Sequence, residues 1–523
     1  MRAFLDYWIT IVWFLGNIEF LSNIFIGGPT TKTVGLSIFI SVGIFLIAVF
    51  WNKHEFYTKC KTELSHLKEA PLPFKALFLV VICIFCIAAL EARLPPHLMQ
   101  EADAINYHMS LPKQHLLSGS LSHISWSAAD LWPLIVQWGF SPWWFSTSIY
   151  NKIPQFLCAL WVFFILFSLS KKHPPHDEGE QGSEKSSAPL LKWIPALAVF
   201  SSHGIVIQLG TAMFDLTNLY FLLAFLHALQ SQRKVWAALH LALYISAKSF
   251  HLPQVILMSG FLGITYLWLD SNKLKFFLKN NKSFLILSMV FSSVLLLRTF
   301  YVSIDRAGSP LFPFFVCKIF PNVSGCQGES GISILESAKQ LAGIRDAYGE
   351  GRTLIGFLKH LFLLAIPTEG VNNRYDYPLG LPWLIWITLL IFSIPNWIKQ
   401  RKISFYFFLA IGFWVVWWIG SQQSRWLYPV LALGWLSTMD LQQKTYFKFL
   451  CGALLLSASL SLGSQIRALK SELLKSRQTI QQEQTMKIKW NPLTKTAGSL
   501  ETLYINDVIK KNSHPSSCWV LGH

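Results

Sequence analysis

The segment 101–119, EADAINYHMSLPKQHLLSG, sets two carboxylates and two histidines between apolar stretches. A carboxylate at the edge of a hydrocarbon phase costs several kcal/mol unless it is paired or hydrated, so Glu101 and Asp103 are the first candidates for chemistry. Two residues apart, they share a side of an extended chain but lie about 200° apart on a helix, and one of the two would then face a substrate. On a helix Asp103 aligns with Tyr107 and Glu101 with His108. The competing reading is a hydrated loop whose acids cap a helix. Hard cations prefer carboxylate oxygens and can bridge phosphates, so a divalent ion, Mg or Mn, would take Glu101 and Asp103. His97, His108, His115 and His123 lack the close spacing of a zinc site. No cofactor is certain from these residues.

The elements that must position this segment are those of a membrane protein. The 523 residues are 53% hydrophobic and only 14% charged, and the mean hydropathy is +0.42, outside the usual range of soluble domains. Crossing about 30 Å of hydrocarbon takes about 20 apolar residues. Such runs fall roughly at 4–26, 34–51, 76–91, 132–147, 153–170, 191–209, 211–229, 235–250, 252–269, 284–301, 380–397, 404–420, 425–440 and 447–463. Continuous runs exclude a membrane β-barrel, whose strands are short and alternating. The expected fold is an all-α polytopic membrane protein, a bundle of about 12–14 transmembrane helices. The first run carries Asp6 and Glu19 and no small-residue cleavage site, which reads as an uncleaved helix.

The net charge of +17 collects in short loops, including Lys53 to Lys75, Lys171 and Lys172, Arg233 and Lys234, and 273–282. That is the distribution of cytoplasmic loops, and it excludes nucleic acid as the explanation of the charge. With the N-terminus cytoplasmic, 92–131 becomes a first large outer loop and 302–379 a long outer loop. The stretch 353–366 is too short to cross and reads as an interfacial helix. A membrane domain over 1–463 is then followed by a polar extracytoplasmic tail, 464–523, which opens with a helical pattern. The linker 171–190, with its HPPHDEGEQGSEKSS run, lies on the cytoplasmic side. Cys317 and Cys326 share the long outer loop and are a disulfide candidate. Cys83 and Cys86, spaced CxxC within an apolar run, read as small helix residues.

Several short pieces follow one another in order. They are 101–119, AMFDLTNLYF with Asp215, YISAKSFHLP with Lys248, GSPLFPFF, and SQQSRWLYP with Arg425. In this order they resemble the GT-C glycosyltransferases, polytopic enzymes that include aminoarabinose and protein mannosyl transferases. The first outer loop of many bacterial members has an Asp, a short gap, Tyr-His-Leu-Pro, a Lys and a Gly. Asp103, Tyr107, His108, Pro112, Lys113 and Gly119 match it here, with Met109 in place of Leu. Two extra helices precede this loop, and the tail is shorter than the soluble domain some members carry.

The resemblance implies an inverting glycosyltransferase, a hexosyl- or pentosyltransferase. It would move a sugar from a polyprenyl-phosphate donor to a lipid, glycan or protein acceptor. The reaction would occur among extracytoplasmic loops, on the periplasmic face of a bacterial inner membrane. Membrane lipids would be partners and nucleic acid would not. A carboxylate that takes the acceptor's proton contributes about 10² to 10⁴ fold, and Asp103 is the first choice for that base, with Glu101 second. Arg425 and Lys248 would meet the leaving phosphate, Arg425 with a fork suited to two oxygens; as an alternative, both would be interfacial anchors that snorkel to headgroups. Asp215 would orient the acceptor or support the base, or else cap a helix. Tyr107, His108 and Lys113 would contact substrate. Arg345, Arg352, Arg374 and Asp376 would cover the site like a lid, the RYDYP run meeting a sugar, or else be solvated loop charges.

The chain has no Walker-type loop, dinucleotide fingerprint or nucleophile elbow. The reading from a different class is a transporter or flippase of a lipid-linked glycan. It calls for charges deep within spans and for repeated halves, and no internal repeat is evident.

Overall fold

The computed structural model describes residues 6–26, 40, 42–47, 49–50, 53–93, 103, 108–122, 133–146, 152–170, 188–248, 251–307, 348–366, 375–400, 404–438 and 444–486. Among the described residues the regular structure is helical and contains no strand. The first half holds α1 (Trp8–Ile26), α2 (Lys53–Glu69), α3 (Leu72–Glu91), α4 (Ser110–Ser118), α5 (Ile135–Ser146) and α6 (Ile153–Ser170). The centre holds α7 (Ile194–Val199), α8 (His203–Gln208), α9 (Asp215–Gln230), α10 (Lys234–Ile245), α11 (His251–Asn280) and α12 (Lys282–Ala307). After these come α13 (Leu354–Leu363), α14 (Leu381–Gln400), α15 (Phe405–Ile419), α16 (Tyr428–Ser437) and α17 (Lys444–Met486).

Five of these helices, α1, α3, α6, α12 and α17, are long and apolar enough to cross a membrane. Helices α3 and α12 keep most of their surface outside the protein core, as lipid-facing helices do. Several expected runs are shorter than a span because the chain bends at one end of the bundle. The run 191–209 divides into α7 and α8. At the break the Ser202 hydroxyl donates to Leu379 O at 2.7 Å and Gly204 N–H donates to Pro378 O at 2.9 Å. Backbone and hydroxyl groups at the break are thus met by a distant loop rather than by a continued helix. The run 211–229 begins its helix only at Asp215, and 425–440 is a 3₁₀ turn, Ser424–Leu427, leading into α16.

Two boundaries differ the other way. The basic run 273–282, expected as a loop, is helical through Asn280, because its Lys, Leu and Phe side chains sustain a helix. Position 464, the expected start of the tail, lies inside α17, whose 43 residues run unbroken for about 65 Å at 1.5 Å per residue. The stretch 353–366, expected to lie at the membrane interface, forms α13, with the Thr353 hydroxyl accepting from Gly356 N–H at 3.0 Å as its cap. Leu354, Ile355, Leu358 and Phe362 on this helix are exposed. Cys83 and Cys86 are free thiols on the outer surface of α3, while Cys317 and Cys326 lie outside the described residues.

The core is built round α9, buried along nearly its whole length and packed against α6, α10 and α16. Trp383, Trp386 and Trp414 form an aromatic knot with ring centroids 5.0–5.7 Å apart. Gly434 makes room for it, since a Cβ there would lie 2.3 Å from Trp386. Helices α1 and α5 cross closely at Gly16 and Gly139, where a Cβ on Gly16 would meet Gly139 O at 1.9 Å, the small-residue contact that lets membrane helices approach.

Candidate functional site

Helices α9 and α10 are packed neighbours joined by a tight turn at 231–233, so the start of α9 and the end of α10 lie at the same end of the pair. Asp215 opens α9, and Lys248 follows α10. They meet there, Lys248 Nζ donating to Asp215 Oδ1 at 2.6 Å, with side chains only 11% and 4% exposed. The helix cap is Phe214, not Asp215. The acid is therefore committed to the lysine rather than to capping.

Arg425 reaches the same place from the 3₁₀ turn between α15 and α16. Its Nη1 lies 2.7 Å from Asp103 Oδ2 and 3.9 Å from Asp215 Oδ2. Its Nε lies 3.3 Å from Asp376 Oδ2 and donates to Gln423 Oε1 at 2.9 Å. Three carboxylates from distant segments thus converge on one guanidinium, with Lys248 beside it. Such a set, largely withdrawn from water, holds each charge by the others.

Asp376 is brought in by a clamp. The Ser424 hydroxyl sits between the carbonyls of Tyr375 and Tyr377, accepts from Tyr377 N–H at 3.0 Å, and Ser424 N–H donates to Tyr375 O at 3.1 Å. Between the two tyrosines Asp376 takes φ +61°, a left-handed conformation that a non-glycine residue keeps only when its surroundings enforce it. The segment before α13 docks on the same turn. Arg352 Nη2 donates to Gly420 O at 2.5 Å and Gln422 Nε2 donates to Gly351 O at 3.1 Å. Gly349, at φ +86°, leaves no space for a Cβ against Gln422. This docking sets the Tyr348 hydroxyl on Asp376.

The carboxyls differ in basicity. Burial pushes Asp103 up, but Arg425 and Lys248 outweigh it and hold the group down at about 2. For Asp376, burial outweighs the pull of Arg425, and Asp103 and Asp215 add to the upward shift. Asp103 is the fixed anion and Asp376 the carboxyl that more readily holds a proton. His108 is buried against the Phe214 ring at 4.6 Å. Its Nδ1 accepts from Gln137 Nε2 at 3.2 Å, and burial, then Lys248, lowers it to about 3, so the ring is neutral at ordinary pH.

Of the residues expected from sequence, Asp103, Asp215, Lys248 and Arg425 come together, with His108 buried within their electrostatic reach. Lys113 is buried on α4 and is not one of the cluster's ion pairs. His115, two residues on, meets Arg298 of α12 at 3.3 Å. Arg352 serves the docking of its loop. Glu101, Tyr107, Arg345 and Arg374 lie outside the described residues. Sequence reasoning placed Asp376 only in a covering loop and passed over Tyr348, Gln423 and Ser424. The polar run SQQS between two apolar helices was the available signal for the last two. Among the described residues no group of three His, Cys, Asp or Glu is placed to hold a metal. The three aspartates face a guanidinium that occupies the position a cation would need.

The chain matches no protein-family model, no curated protein and no solved structure.

Proposed function

We propose that this end of the bundle transfers a sugar from a polyprenyl-phosphate donor to an acceptor on the outer face of the membrane, with inversion at the anomeric carbon. The observation that supports it is the convergence of Asp103, Asp215 and Asp376 on Arg425, beside Lys248. Anion-binding cations next to a carboxylate base are what a displacement at an anomeric phosphate needs. The acceptor's oxygen forms a bond to the anomeric carbon as the bond from that carbon to the phosphate oxygen breaks. The phosphate leaves with the bonding electrons, and Arg425 and Lys248 meet its charge where low dielectric strengthens them. Asp103 receives the acceptor proton.

In the unliganded arrangement Asp103 is engaged by Arg425 and is a weak base. A donor phosphate competes for the guanidinium through bidentate contacts, and drawing it from Asp103 frees the carboxylate and raises its basicity. The base would thus become competent only with donor in place, which disfavours wasteful proton transfer. The motif order along the chain supports the finer architecture, a GT-C-like bundle of about 12–14 spans with the site among extracytoplasmic loops of a bacterial inner membrane. The acceptor is a lipid, a glycan or a protein.

The test is transfer of label from a panel of polyprenyl-phosphoryl sugars by purified protein in detergent, comparing the native chain with Asp103→Asn and Glu101→Gln. Donor-dependent transfer that Asp103→Asn abolishes and Glu101→Gln retains in part is the expected result. If no donor is consumed and a cellular glycan profile is unchanged by either substitution, the transferase reading fails and lipid-linked glycan transport is assayed instead.

A further inference from the structure

The described residues cover only one face of α13. Gly356 and His360, with Leu364 just past the helix end, are spaced four apart, turn inward and are buried. Phe357 packs on Trp414 and Trp418 of α15, with ring centroids 5.1 and 5.6 Å away, and Trp383 Nε1–H donates to Leu361 O at 3.1 Å. The opposite face carries Leu354, Ile355, Leu358 and Phe362, with Ile366 beyond, each between 51% and 73% exposed. With ten residues, the helix is about 15 Å long, half of what a membrane crossing takes.

What lies against the exposed face follows from where the helix sits. Its partners Trp414 and Trp418 fall in the last two turns of α15, just before the turn that carries Arg425, and Trp383 lies in the first turn of α14. Tryptophans gathered at the ends of apolar helices mark the boundary between hydrocarbon and headgroups. Val415 and Ile419 of α15 are exposed as well, so apolar surface continues from α13 onto the helix it packs against. The one lysine of α13, Lys359, pairs with Glu350 at 3.5 Å, and its long stem lets the ammonium stay at headgroup level while its neighbours meet hydrocarbon. A short helix with one outward apolar side, set at that boundary, fits a lipid surface.

We propose that the exposed face of α13 binds the bilayer surface at the Arg425 end, and that this seating holds the loops bearing Tyr348 and Asp376 in place. The helix is bonded to both loops. Ahead of it, Gly351 and Arg352 are docked on Gln422 and Gly420, three residues on from Tyr348. Behind it, Leu379 N–H donates to Leu364 O at 2.7 Å, and His360 Nδ1 and the Tyr375 hydroxyl share a hydrogen bond of 2.5 Å. Asp376 lies between these two anchors. Lipid that fixes α13 therefore fixes residues 348–352 and 375–380, whereas an α13 with no lipid against it shifts and takes both loops with it. The seating needs a membrane round the bundle but no particular reaction, so it stands or falls separately from the transferase reading.

The experiment uses the full chain in vesicles of phosphatidylethanolamine and phosphatidylglycerol, with bimane on Leu358→Cys or Phe362→Cys in a background where the native thiols are replaced by serine. Lipid spin-labelled high on the acyl chain should quench both probes about twofold or more, and aqueous iodide should quench them little. Quenching by iodide and not by lipid overturns the proposal. A disulfide joining two copies through position 358 overturns it too, since a second chain would then be the occupant. Hydrogen exchange in the same vesicles reads the coupling. Leu358→Ser combined with Phe362→Ser should speed exchange about tenfold in 348–352 and 375–380 and leave α9 and α16 unchanged. Unchanged exchange in the two loops overturns the coupling, and a rise through the whole bundle overturns it by showing that the face supports the fold rather than the loops. The cysteine probes stand at exposed positions and do not depend on the serine variant folding.

Discussion

Arg425 is the residue on which the site turns, because its flat fork meets Asp103 with one nitrogen and Asp376 with another. Lysine keeps the charge but offers a point rather than a fork. Arg425→Lys should therefore lower transfer by about 10² to 10³ fold, the loss found when a positioned transition-state donor is removed. The affinity for polyprenyl phosphate should fall much less, and kcat measured against KM separates the two. Asp376 makes a prediction of opposite sign. Its folded pKa lies above the ordinary carboxylate value, so its ionisation opposes folding as pH rises above that ordinary value, and the cost is absent below it. Asp376→Asn should then melt above the native protein at pH 7, and the difference should shrink toward zero as pH falls through 4. Transfer at pH 7 should drop, because Tyr348 and Arg425 lose a carboxylate partner. A melting difference that grows with acidity would refute this account of Asp376.

At the scale of elements, the site depends on two loops fastened to one turn. Residues 375–380 hang on Ser424, and residues 348–352 hang on Gly420 and Gln422. Ser424→Ala removes the hydroxyl common to Tyr375 and Tyr377 and leaves their buried groups short of a partner, at about 1–3 kcal/mol. The expected result is faster hydrogen exchange confined to 375–380 and a fall in kcat, with exchange in α9 and α16 unchanged. Exchange that rises through the whole bundle would show that the serine supports the fold rather than the loop. This clamp also explains what the sequence could and could not convey. Asp103, Asp215, Lys248 and Arg425 stand out by type, as charges at the ends of apolar runs. Asp376 does not, since in RYDYP it is one polar residue among several, and only its docking on Ser424, far along the chain, gives it a role.

For the whole molecule, composition conveys the helical class, while the lengths of the spans are set by tertiary structure. The run 191–209 looks continuous in hydropathy, yet it breaks where residues 375–380 supply the hydrogen bonds that the helix gives up. The bundle has two unlike ends. One gathers the aspartates round Arg425; the other pairs Arg233 with Asp6 at 2.5 Å and Lys234 with the end of α11. Between α1, α6, α9 and α10 the second end also holds polar side chains that hydrogen-bond one another. Tyr7 bonds His227 at 3.1 Å and Thr10 bonds His240 at 2.8 Å, so these partners stabilise the helix packing and none of them needs a substrate. Basic residues mark the cytoplasmic side of membrane proteins, and the orientation we propose on that rule has the Arg233 end inside and the Arg425 end outside. Single cysteines test the assignment in a background where the native thiols are replaced by serine. An impermeant maleimide should label Ser122→Cys, in the exposed turn after α4, on intact cells, and Ser231→Cys, between α9 and α10, only after permeabilisation. The reverse pattern would put the carboxylates in the cytoplasm, where soluble nucleotide-sugars are accessible, and would remove the reason to look for a donor carried to the outer face on a lipid.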